Sequence, residues 1–186
     1  MTFILASGSP RRKELLQSLG FIPDQIVTPS VDETPIKGEG AKEYVKRVAF
    51  LKARTVYIMN PKAYVLAADT AVEARHKIFL KATSLDDARQ MLALFSGRRH
   101  RVYTAVCLIT PEGKEGSRVI TTRLTFKRLT PQEIESYLAS GEWEGKAGAY
   151  AIQGGAAKFV KFISGSYTNV MGLPLYETDC LLKGLK

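Results

Sequence analysis

The chain has no apolar run approaching the roughly 20 residues needed to span a bilayer. Its N-terminus lacks the long apolar segment and small-residue cleavage site of a secretory signal. Both features point to a soluble, cytoplasmic protein with no membrane partner. Only two cysteines occur, Cys107 and Cys180, and their spacing is not that of a metal site. They either pair in a disulfide or, as a reducing compartment favours, stay as two buried thiols. The two histidines, His76 and His100, belong to no visible catalytic triad. There is no Gly-x-Ser-x-Gly elbow, no Walker A loop and no Gly-x-Gly-x-x-Gly fingerprint. Neither cysteine has a basic neighbour that would hold it as a thiolate. Covalent catalysis and dinucleotide chemistry are therefore not expected.

What is present is a 186-residue chain, 45% hydrophobic, with a formal charge of +9. The length suffices for a proper core, as one domain over residues 1–186 or as two lobes sharing one cleft. Residues 1–93 carry 14 Lys/Arg against 10 Asp/Glu, and residues 94–186 carry 13 against 8, so the excess is spread along the chain. Basic tails, lysine blocks and aromatic-interleaved basic stripes are all missing from the linear sequence. The charge fits a pocket for a highly charged small molecule at least as well as a duplex-binding face, and nucleic acid is the less expected partner.

Apolar strand-like runs alternate with helical periodicities. Strands are expected at 2–6, 25–28, 62–72 and 77–80, with helices at 10–19, 40–59 and 84–95. Two longer strands, 100–110 and 117–128, flank the turn Pro111-Glu112-Gly113-Lys114 and should form an antiparallel hairpin. Thr130-Pro131-Gln132-Glu133 reads as a capping box with proline at the first helical position. The expected fold is α/β, a mixed twisted sheet with flanking helices and two lobes around a cleft. Loops after Ala6, Thr28 and Val72 are the expected ligand positions.

Ser7-Gly8-Ser9-Pro10-Arg11-Arg12 follows the first strand. Ser9 suits an N-cap and Pro10 the first turn, which puts two arginines at the positive end of a helix dipole. Each is disfavoured there by about 0.3–1 kcal/mol, a penalty a bound phosphate would remove. Asp69 closes the apolar run Tyr64-Val65-Leu66-Ala67-Ala68. It is either a turn-capping carboxylate or one aimed into a cleft as base, metal ligand or both. Asp32 and Glu33 form a second acidic pair between prolines, while Lys52 and Lys81 are unremarkable singly. In Lys146-Ala147-Gly148-Ala149-Tyr150-Ala151-Ile152-Gln153-Gly154 the small residues let a ligand approach. The Gln153 amide could pair with a uracil or thymine edge, or, flipped, with cytosine.

Together, these segments resemble the Maf family of nucleoside triphosphate pyrophosphatases. The matching stretches are residues 4–16, Val31-Asp32-Glu33-Thr34-Pro35, Ala68-Asp69-Thr70, and Ser96-Gly97-Arg98 with Val102-Tyr103-Thr104. Residues 146–154 and Ser166-Tyr167-Thr168-Asn169-Val170-Met171-Gly172-Leu173-Pro174 complete them. Residues 146–154 are similar to the branch acting on dTTP and UTP. The resemblance implies a Maf/ITPase-like fold and a cytoplasmic enzyme that cleaves dTTP, UTP or modified pyrimidine nucleotides to monophosphate and pyrophosphate. A homodimer is compatible with it. It implies Asp69 as proton acceptor, and Arg11, Thr70 and Gln153 as the residues that select the base. Ser7, Arg12, Glu33, Lys52 and Lys81 would surround the phosphates, with magnesium or manganese on Asp69 and Glu33. Around Lys81 the sequence reads Leu80-Lys81-Ala82 where the family carries Gly-Lys-Pro. The alternative function is a regulatory protein, linked to cell division, that binds nucleotide or nucleic acid without hydrolysis.

Overall fold

The computed structural model describes residues 1–184, so Leu185 and Lys186 of the expected 1–186 domain lie outside the described residues. One seven-stranded mixed sheet organises the chain, in the order β2-β1-β3-β5-β6-β7, with the short β4 also paired to β3. The strands are β1 (Phe3–Ala6), β2 (Gln25–Ile26), β3 (Tyr64–Ala74), β4 (Lys77–Phe79), β5 (Arg99–Ile109), β6 (Glu115–Phe126) and β7 (Val160–Ser164). The helices are α1 (Pro10–Ser18), α2 (Ala41–Met59), α3 (Leu85–Phe95), α4 (Pro131–Ala139), α5 (Tyr167–Met171) and α6 (Leu175–Gly184). Among the described residues, no helix is long and apolar enough to cross a membrane.

Helix α2 lays Val45, Val48, Ala49, Ala53 and Val56 on one sheet face, against Ile4, Ala67, Ala105 and Cys107. That spacing is the apolar stripe of an amphipathic helix. On the other face, α1 and α6 bury Leu15, Leu16, Leu181 and Leu182 against Leu5, Leu66 and Leu108. Farther along that face, α3 and α4 pack on Val72, Val102, Leu124 and Phe126. The caps are those expected at two helices: Ser84 accepts from the Asp87 N–H, and Thr130 with Glu133 closes a full capping box. Ser9 occupies the N-cap position of α1 but makes no side-chain cap, and its own N–H donates to Ser7 Oγ at 3.2 Å.

Several boundaries differ from expectation. β3 runs to Ala74, so Asp69 lies inside a strand rather than at its end. The reason is β5, which pairs with β3 continuously from Val65–Ile109 to Glu73–Arg101. The opposite edge of β3 is interrupted. β1 accompanies it only to Ala67, and β4 joins only from Val72, so Ala68–Ala71 have no strand neighbour on that side. This gap in the sheet is what makes room for a site. The expected ligand loop after Val72 is likewise displaced, since Val72 is within β3 and the turn that follows is Arg75-His76. No disulfide forms: Cys107 is buried, whereas Cys180 is exposed, contrary to the pair of buried thiols expected.

His100 is the one histidine in the core. Its ring stacks on Phe95 with centroids 4.7 Å apart, meets Phe126 edge-on at 4.8 Å, and shares a 2.9 Å hydrogen bond with Tyr150 Oη. Burial pushes its pKa down to about 4. A group depressed on folding contributes stability above its unfolded pKa of about 6.5 and loses it as pH falls through the folded value. The unfolding free energy should therefore drop by about 3 kcal/mol between pH 7 and pH 4 on account of His100. Denaturant titrations of His100→Phe over that range should show a correspondingly flatter acid limb.

Candidate active site

The interrupted edge of β3 opens into a cleft of about 450 Å³. Chain segments leaving β1 and β4 supply two of its walls, with Ser7 to Arg12 on one side and Lys81 on the other. Thr28, Pro29, Glu33, Lys52, Asp69, Thr70 and Gln153 also line it. All nine sequence-derived site residues are thus brought to one cavity, from six separate stretches of chain.

Asp69 is buried among them, with 6% of its surface exposed. Lys52 Nζ donates to its Oδ1 at 2.7 Å and lies 2.9 Å from Glu33 Oε1. Burial pushes the Asp69 carboxyl above the ordinary aspartate range, a shift opposed by the Lys52 and Arg12 charges. Lys52 falls on the buried stripe of α2, between Val48 and Ala53, where an apolar residue would be expected. That misfit was the available sequence signal for it. Glu33 is held from outside the cleft. Tyr44 Oη donates to its carbonyl at 3.0 Å, and Arg47 binds both Glu39 and the Thr34 carbonyl. Asp32 is separated from this group: it accepts the Thr34 N–H at 2.9 Å and shapes the loop.

The two arginines are not equivalent. Arg12 donates through Nε to the Gly172 carbonyl at 2.8 Å, through Nη2 to Thr70 Oγ1 at 3.1 Å, and through Nη1 to Ser7 Oγ at 3.2 Å. It locks three segments together while remaining on the cleft wall. Arg11 Nε is buried with no partner among the described residues, a donor left free in a polar cleft. Burial lowers the affinity of both guanidiniums for their protons.

Thr70 is carried by a buried polar network that sequence reasoning missed. Its hydroxyl lies 2.9 Å from Thr104 Oγ1, and Thr104 donates to the Asn169 carbonyl at 2.9 Å. Asn169 Nδ2 in turn reaches the Val102 carbonyl and Thr122 Oγ1. Fully buried, Asn169 and Thr104 anchor the segment that presents the Gly172 carbonyl to Arg12. Gly172 itself has φ +111°, open to glycine but costly for other residues.

Lys81 sits in a loop whose backbone is tied to the segment 146–148. Lys81 bridges Ala147, and the Gly148 N–H donates to the Leu80 carbonyl at 2.9 Å. Neither Leu80 nor Ala82 takes a positive φ. Leu80 packs on the α2 core and Ala82 on the α3 core, so packing and pairing hold the loop. Gly148 must be glycine, since a Cβ there would meet Val72 Cγ2 at 2.8 Å in a left-handed backbone.

The exposed Gln153 rides on a turn braced at both ends. Tyr137 Oη accepts the Ala151 N–H at 2.9 Å, and Glu142 Oε2 accepts the Gly155 N–H at 2.7 Å. Glu144, Lys146 and Tyr150 also line the cleft beyond the residues anticipated individually.

Asp69 and Glu33 converge on a single cationic nitrogen, so hard oxygen donors for a dication are in place. Magnesium commonly takes one or two carboxylates, with phosphates and water completing its shell. Among the described residues, no cluster of three or more His, Cys, Asp or Glu that could hold a metal is present.

The family model described as Maf-like protein matches residues 2–185. A dTTP/UTP pyrophosphatase of Mesorhizobium japonicum is 53% identical, with 97% of this chain and 90% of that protein covered. One of Paramagnetospirillum magneticum is 51% identical, with 97% and 95% covered. The solved structure of a HAM1 protein from Coxiella burnetii shares the fold, with a TM-score of 0.54 at 14% identity and 99% of both chains covered.

The brace on Gln153 can be tested locally. Glu142→Ala should speed amide exchange at Gly155 about tenfold or more, the loss expected for a hydrogen bond to a charged acceptor. Glu142→Gln, which can still accept, should restore most of the protection measured by NMR. Equal exchange in all three proteins would show that the bond does not hold the turn.

Proposed function

The chain belongs to the Maf family, and on that premise we propose that it hydrolyses dTTP and UTP to the monophosphate and pyrophosphate. The observation that carries the reading is the Asp69 carboxylate, buried at mid-strand against Lys52 in a cleft ringed by arginine, lysine and Glu33. The relatives' stated activity favours hydrolysis over the binding-only alternative.

In this reading the nucleotide lies with its triphosphate among Ser7, Arg12, Lys52 and Lys81. A water held by Asp69 attacks the α-phosphorus in line, and the bond to the α–β bridging oxygen breaks. The water's proton passes to Asp69, and pyrophosphate leaves with the bonding pair. Burial makes Asp69 a better base than a surface carboxylate, while Lys52 keeps it ionised and oriented. Arg12 and Lys81 offset charge on the departing pyrophosphate. Asp69 and Glu33 would hold a magnesium or manganese ion, which supplies Lewis acidity towards water and phosphate oxygens when bound.

Selection of the base falls to Arg11, Thr70 and Gln153. The unpartnered Arg11 Nε offers a donor at a pyrimidine carbonyl, and the Gln153 amide can meet the N3–H and O4 edge of uracil or thymine. A buried donor left without its acceptor by the wrong base costs about 1–3 kcal/mol, enough to discriminate.

Pyrophosphate release from a nucleotide panel, with magnesium or manganese, tests the assignment. The wild type should favour dTTP and UTP over purine triphosphates. Asp69→Asn should lower kcat by at least about a thousandfold while nucleotide binding, followed by calorimetry, survives. Wild-type turnover in that variant would exclude Asp69 as the base. Gln153→Ala should flatten the preference among bases more than it lowers kcat, and an unchanged profile would remove Gln153 from base selection.

A further inference from the structure

Five cations from four stretches of the chain are brought by the fold to one groove on the sheet. Arg99 and Arg101 of β5 lie on the same face as Tyr103, Ala105 and Cys107, by strand alternation. Helix α2 covers the latter three but does not extend over the former. A groove of about 890 Å³ crosses the uncovered part.

Register shows how the charges meet. Arg101 stands directly opposite Arg123 of β6, and Arg99 opposite Thr125, which in turn faces Phe162 of β7. Lys161 and Arg75 add two further cations to a lining that also holds Glu73 and His76. Like charges placed opposite one another on adjacent strands are destabilising. Arg101 is offset by Glu73 at 3.1 Å, but Arg75, Arg99, Arg123 and Lys161 form no ion pair among the described residues. Arg75 and His76 close the β3–β4 hairpin with φ of 50° and 58°, a left-handed turn usually built from Asn and Gly. Phe162, 60% exposed, sets a bare aromatic ring on this cationic face. The same face of a second copy would bring cations against cations, so the face calls for an anionic occupant.

We propose that this face binds single-stranded nucleic acid. Phosphates lie along Arg99, Arg101, Arg123 and Lys161, and an unpaired base stacks on Phe162. Guanidiniums beside an exposed ring suit a chain that alternates phosphates with flat bases. A duplex hides its bases from Phe162, and a polyanion without bases has nothing to stack there. The face is separate from the cleft: none of these residues lines it.

Fluorescence anisotropy with a fluorescein-labelled, mixed-sequence 20-nucleotide DNA strand tests the proposal. Binding should saturate at 50 mM KCl and weaken with salt at a log–log slope of about −3, the value for four to five neutralised phosphates on a single strand. Arg99→Glu with Arg123→Glu should abolish it. Phe162→Ala should weaken it about tenfold while leaving affinity for inorganic polyphosphate unchanged. Dye-monitored melting and dTTP hydrolysis should match the wild type in these variants, which shows that they are folded. Absence of binding at tens of micromolar protein, equal affinity for duplex, or an unaltered Phe162→Ala affinity would each overturn it.

Discussion

Asp69 and Lys52 form an ion pair almost sealed from water, at the one place where the central strand loses its neighbour. Removing two charges from water costs several kcal/mol each, and their mutual attraction offsets this only with further hydrogen bonds and charges nearby. Those are present: Glu33 takes the other side of the Lys52 ammonium, and Arg12 adds a second positive field. The remaining architecture follows from keeping this group in place. β5 holds β3 straight through Asp69, α2 delivers Lys52 from above, and Tyr44 and Arg47 fasten the Glu33 loop to the same helix.

The paired arginines after β1 show how tertiary context divides identical residues. By dipole reasoning both belong to an anion waiting at the helix start. Arg12 instead spends three donors on Ser7, Thr70 and Gly172, which ties the first loop, the central strand and the C-terminal segment into one wall. Arg11 keeps an unpaired buried donor and so retains the capacity to read a ligand atom. Two of the three partners of Arg12, Thr70 and Gly172, are 58 and 160 residues away along the chain, a separation that no local periodicity encodes.

The departure at Leu80-Lys81-Ala82 is accommodated by the same logic. A proline after the lysine would restrict the backbone through its own ring. Here a bridge to Ala147, a bond from Gly148 and apolar contacts on either side do so instead. The loop carrying Lys81 is thereby coupled to the segment carrying Gln153, and that segment is braced in turn by Tyr137 and Glu142. The Lys81 side and the Gln153 side of the cleft share a framework.

Elements whose signals are local were legible in the sequence. The helix caps at Ser84 and Thr130, the long hairpin around Gly113, the amphipathic stripe of α2 and the Ser-Gly-Ser-Pro start of α1 depend on neighbours within a turn or two. The residues that line the cleft were singled out chiefly through the resemblance to a known family, since Lys52 and Lys81 are unremarkable by residue type alone. What the sequence could not reveal depends on edges and faces. The missing strand beside Ala68–Ala71, the mid-strand position of Asp69, the exposure of Cys180 and the unequal duties of Arg11 and Arg12 arise only when distant strands pair. The cationic face is of the same kind: five charges from four stretches become one surface through sheet register, since cross-strand pairing sets neighbours about 5 Å apart regardless of their distance along the chain.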